Sequence, residues 1–76
     1  MIQISQHSIE VFRTDVNNKT EAEHLRNALM QHYPNCIINF DLDDCDKILR
    51  IDGDIEPAAI ELLSKTQGFQ VCRLPD

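Results

Sequence analysis

Along this 76-residue chain a strand, a helix, two strands, a second helix and a last short strand follow one another, and that ordering restricts the fold more than any single motif. Ile9, Val11, Phe12 and Val16 make Ser8 to Val16 a strand of β-branched and aromatic residues, ended by Asn17-Asn18. Thr20-Glu21-Ala22-Glu23 then reads as a capping box, with the Thr20 hydroxyl accepting from the Glu23 N–H and the Glu23 carboxylate reaching back. Behind it Ala22, Leu25, Ala28 and Leu29 form one helical stripe, which Tyr33-Pro34-Asn35 stops.

The second half repeats the order. Cys36, Ile38, Phe40 and Leu42 alternate with Ile37, Asn39 and Asp41, so the first set faces inward along a second strand. Asp43-Asp44-Cys45-Asp46 is a hairpin turn, and Lys47 to Asp52 returns as a third strand broken by Gly53-Asp54. Pro57 suits the first turn of a second helix, with Asp54 or Glu56 near the positive end of its dipole and Ile60 and Leu63 on its buried side. Gly68 ends that helix, and Phe69 to Leu74 is a last short strand.

The order βαββαβ in one small domain, residues 1–76 with 1–7 as a flexible leading segment, implies an α+β ferredoxin-like fold. Its four-stranded antiparallel sheet carries both helices on one face. Right-handed crossovers give the strand order 4-1-3-2. They gather the loop after strand one, the hairpin turn and the Gly68 loop at one end, and Tyr33-Pro34 and Asp52-Gly53-Asp54 at the other.

Charge and composition then exclude function classes. A net charge of -6 opposes nucleic-acid binding, which depends on clustered Lys and Arg, and opposes an anionic membrane surface. No stretch approaches the roughly 18 apolar residues of a membrane span, and Met1 to Ser8 has neither the basic start nor the apolar run of a secretion signal. Cys36, Cys45 and Cys72 are three widely spaced cysteines with no C-x-x-C, which suits free thiols. A cytoplasmic protein is the expectation.

Candidate chemistry is sparse. Starting a calcium loop at Asp41 puts Asp46 where the sharp-turn glycine belongs and Asp52 where the bidentate Glu belongs, so the acidic run reads as a solvated turn and a helix start. His7, His24 and His32 lack ligand spacing, and no Ser or Cys stands next to a His with an orienting acid. With only Gly53 and Gly68 there is no phosphate-cradling loop. The expectation is a protein without catalytic activity and without a cofactor.

Ala28-Leu29, Pro34-Asn35-Cys36, Phe40-Asp41-Leu42 and Gly68-Phe69, in this order and spacing, resemble elements of the heavy-metal-associated domain of copper chaperones and metal-transporting ATPases. The resemblance spans roughly Ile9 to Leu74. That family carries Met-x-Cys-x-x-Cys after its first strand. Counting back from Leu25 and Ala28-Leu29 puts its Met on Val16 and its two cysteines on Asn18 and Glu21. An amide and a carboxylate are hard ligands, whereas monovalent copper needs sulfur, so the resemblance implies the scaffold without the metal site. The family's Ile in the second helix becomes Ser64.

What remains is surface. The outward set of the sheet comprises Ile9, Val11 and Arg13 of strand one, Ile37 of strand two, and Ile48 and Arg50 of strand three, an apolar face for one meeting water. The leading expectation is a metal-degenerate binding or interaction module that meets a protein partner or a second copy through this face, or through the Val16 to Thr20 loop. Two alternatives stand beside it. One is copper or zinc binding or trafficking through Cys45 with ligands from a partner chain. The other is a small-molecule-sensing domain of the ACT kind, which shares the βαββαβ order.

Overall fold

In a computed structural model, residues 9–75 are described. The expectations for residues 1–7, His7 included, lie outside them. The elements run β1 (Ile9–Thr14), α1 (Lys19–His32), β2 (Ile37–Asp41), β3 (Ile48–Asp52), α2 (Pro57–Thr66) and β4 (Val71–Arg73). One antiparallel sheet has the order β2-β3-β1-β4, the expected order read from the other edge. The chain is therefore α+β with the ferredoxin-like plan.

The first strand ends two residues short of Val16, although Val16 is fully buried. Its apolar character comes from a loop that folds under α1, not from strand pairing. The helix start differs as well. Asn18, not Thr20, is the N-cap: its extended backbone, φ -154 and ψ 175, lets Oδ1 accept from the Glu21 N–H at 2.9 Å. Glu21 Oε1 in turn accepts from the Asn17 N–H at 2.9 Å. The result is a reciprocal cap shifted two residues toward β1.

α1 lies over the β2 side of the sheet, α2 lies over the β4 side, and the helices touch each other. Between them and the sheet sits one core of Phe12, Val16, Ala22, Leu25, Leu29, Ile38, Leu49, Ile51, Ile60 and Val71. The inward set of β2 holds as expected: Ile38 is buried, and Cys36, Phe40 and Leu42 pack against the core from its rim. Leu63 is only half-buried, and the fully buried place on α2 beside Ile60 belongs to Ser64. Its hydroxyl donates to the Ile60 carbonyl at 2.7 Å, so burial leaves no unpaired donor.

Pro57 opens α2 as expected, and Glu56 precedes it without a side-chain cap. Gly68, at φ 91, closes the helix. Its N–H reaches the Lys65 carbonyl and the Phe69 N–H reaches that of Ser64, each at 3.0 Å, a Schellman arrangement that only a left-handed residue allows cheaply. At the opposite end Gly53 has φ 152 and faces Cys36 so closely that a Cβ there would lie 2.5 Å from Sγ. The β2 entrance and the β3 exit are thus packed backbone to side chain.

Candidate functional site

Three loops meet at one end of the sheet. The Thr14 N–H donates to the Asp46 carbonyl at 3.0 Å and its hydroxyl donates to the Lys47 carbonyl at 2.7 Å, tying β1 to the hairpin. The Asp15 N–H donates to the Gln70 carbonyl at 3.2 Å, and Asp15 Oδ1 accepts from the Gln70 N–H at 2.9 Å, tying the same loop to the start of β4. Topology thus delivers the expected gathering of the β1–α1 loop, the hairpin and the Gly68 loop.

At that end stand Val16, Asn18 and Glu21. Val16 is buried beneath the loop, while Asn18 and Glu21 point their oxygens at backbone N–H groups of their own helix start. These two side chains are a capping pair. Their donor set is an amide and a carboxylate with one oxygen each already accepting a hydrogen bond, and it does not fit a soft monovalent ion.

Cys45 is exposed in the hairpin, with the carboxylates of Asp44 and Asp46 near enough that one ligand atom of each lies within 4.8 Å of the others. The turn itself accounts for this grouping. Asp44 Oδ1 accepts from the Asp46 N–H at 2.9 Å, the Asp44 carbonyl accepts from the Lys47 N–H at 3.0 Å, and Lys47 sits at φ 51 to complete the reversal. Asp52, Gly53 and Asp54 are at the far end of β3, so the acidic run is split between the two ends of the domain. Cys36 on the β2 side and Cys72 on β4 occupy opposite sides of the sheet, as expected. His24, exposed on α1, lies 6.3 Å ring to ring from Phe69, and His32 closes the last turn of the same helix.

The outer sheet face can be read from the register. Ile37, Asp52 and Ile9 form one cross-strand row, and Asn39, Arg50 and Val11 form the next. Asp41 pairs with Ile48, and Arg13, two residues on from Val11 along β1, pairs with Cys72 of β4. All six residues expected on this face are therefore on it. Their exposure is uneven: Ile9 is 53% and Ile37 60% exposed, Val11 is half-buried, and Ile48 is closed to 9%. The open apolar area lies at the Ile37–Ile9 row, not across the whole face.

The two edge strands are guarded, which the sequence does not announce. Arg26 of α1 donates through Nε to the Ile38 carbonyl of β2 at 2.8 Å. Glu61 of α2 accepts from the Arg73 N–H of β4 at 2.8 Å, and Arg73 also pairs with Glu10 at 2.6 Å. One helix side chain thus blocks each edge against an added strand. A hollow of about 380 Å³ lies between α2 and β4, lined by Glu61, Leu62, Lys65, Phe69 and Cys72. It is a shallow open groove with Glu61, the residue bonded to the Arg73 N–H, in its lining. No helix among the described residues is long and apolar enough to cross a membrane. No family model, curated protein or solved structure matches the chain.

Proposed function

We propose that this chain is a small protein-interaction module that shares the heavy-metal-associated scaffold, has exchanged that family's metal pair for a helix cap, and meets its partner through the outer sheet face. The observation that carries the reading is the double use of Asn18 and Glu21: the positions aligned with soft ligands hold the N-terminus of α1 together. Chemistry at that loop is thereby replaced by structure.

The choice of surface follows from what the rest of the molecule leaves open. Both sheet edges are engaged by Arg26 and Glu61, which disfavours recognition by strand addition. The helices cover the inner face. The outer face offers two well-exposed isoleucines in one row with Arg50 in the next, an apolar patch beside a residue type that interfaces favour. The test is a photoreactive residue placed at Asn39, on the outer face, or at Glu23, on α1. A discrete protein adduct from position 39 and none from position 23 is the expected result. Adducts from position 23 alone would sink the reading.

A further inference from the structure

We infer that the groove between α1 and the β2 edge binds a small carboxylate with an apolar body, held through Arg26. The inference goes beyond the interaction-module reading and makes no use of the exposed Ile9–Ile37 row.

The groove follows from the helix face. A hollow of about 210 Å³ lies between α1 and β2. Lys19, Ala22, Glu23 and Arg26 border it, and their spacing of three and four residues puts them on one side of the helix. In the middle of that row stands Ala22, a small side chain that leaves space, while the half-buried Phe40 and Leu42 supply an apolar wall from the strand side. Pockets for drug-sized ligands begin at roughly 300 Å³, so this one suits a compact body such as a phenyl ring or a branched alkyl chain.

Charge names the rest of the ligand. The chain has 13 acidic and 7 basic residues, yet Lys19 and Arg26 face the groove against Glu23 alone among its described lining residues. The local balance is the reverse of the overall one and favours an anion. Arg26 is also held in place. Its Nε donates to the Ile38 carbonyl at 2.8 Å, which fixes the guanidinium at the strand edge and leaves its terminal N–H groups as donors of the kind a carboxylate takes in pairs. A carboxylate on that fork, with its apolar body over Ala22, Phe40 and Leu42, uses both the charge and the space. A neutral apolar compound leaves the cations unused, and a cationic one meets Lys19 and Arg26.

An open groove of this size holds such a ligand weakly, with a dissociation constant of about 1 mM. Titration of the isotope-labelled protein with hydrocinnamate, and in parallel with the uncharged hydrocinnamyl alcohol, tests the inference through amide chemical shifts. The acid is expected to saturate, with its largest shifts at Ala22, Arg26, Phe40 and Leu42. The alcohol is expected to bind about tenfold more weakly, since it offers no charged acceptor to the guanidinium. Arg26→Gln should weaken the acid about tenfold and leave the alcohol unchanged. Glu23→Gln, at an exposed position, removes the like charge and should tighten the acid about twofold, a gain that damage to the fold does not produce. Equal affinity for acid and alcohol overturns the carboxylate assignment. No saturating shift at about tenfold above the expected dissociation constant, or largest shifts on the outer face or in the α2–β4 groove, overturns the site itself and leaves the photo-crosslink at position 39 to judge the interaction reading.

Discussion

At the scale of single residues, Gly53 and Ser64 show how little room this core leaves. Gly53 has φ 152, a backbone region that side chains avoid, and a Cβ there would meet Cys36 Sγ at 2.5 Å, Cβ at 3.1 Å and Cα at 3.3 Å. Gly53→Ala is expected to lower stability by about 2 kcal/mol or more in urea unfolding, from strain and contact together. Adding Cys36→Ala removes the closest contact, the sulfur, but neither the backbone strain nor the two tight carbon contacts behind it, so the double variant should recover only part of the loss. Full recovery would mean that the cost is steric alone. Ser64 is the opposite case. Its hydroxyl donates to the Ile60 carbonyl one turn back, a bond that competes with the helix, so Ser64→Ala should change stability by less than about 0.5 kcal/mol. A loss several times larger would show that the hydroxyl has another task.

At the scale of elements, the start of α1 is where sequence and structure part. Asn18-x-x-Glu21 and Thr20-x-x-Glu23 are both valid caps by residue type, and the pattern alone cannot rank them. The decision is tertiary. Thr14 is pinned to the hairpin and Val16 is buried, which leaves Asn17 and Asn18 as the turn and starts the helix at Lys19. Asn18→Ala should therefore cost about 1 kcal/mol in thermal or urea unfolding, while Thr20→Ala stays within about 0.5 kcal/mol. Reversal of that ranking would restore the Thr20 cap. Elements whose signals are local, such as the alternation of β2, Pro57 and Gly68, are legible from the chain. Features set by neighbours across the sheet are not: the closing of Ile48 to 9% on an outward face, and the reach of Arg26 and Glu61 to the sheet edges, depend on strands and helices far apart in sequence.

At the scale of the whole molecule, the question is whether the end at which three loops meet is a metal-family scaffold or only a fold of the same order. The fold alone does not decide it, because a βαββαβ plan serves many functions. A gain of function can. Val16 already lies buried beneath the loop, and Asn18 and Glu21 stand three residues apart across the first turn of α1, the spacing at which two side chains share a helix face. Asn18→Cys/Glu21→Cys, made in a Cys45→Ser background so that the hairpin thiol contributes nothing, places two thiolates there. The variant should lose about 1 kcal/mol from the missing cap and take up one monovalent copper ion from a competing chelator, since paired thiolate sulfurs suit that ion as the amide and carboxylate do not. The Cys45→Ser chain without the new cysteines should leave the ion on the chelator. A folded double variant that also leaves it there would show that the loop does not hold the geometry of the family it resembles, and the proposed kinship would fall while the outer-face reading, which rests on register and exposure, would stand.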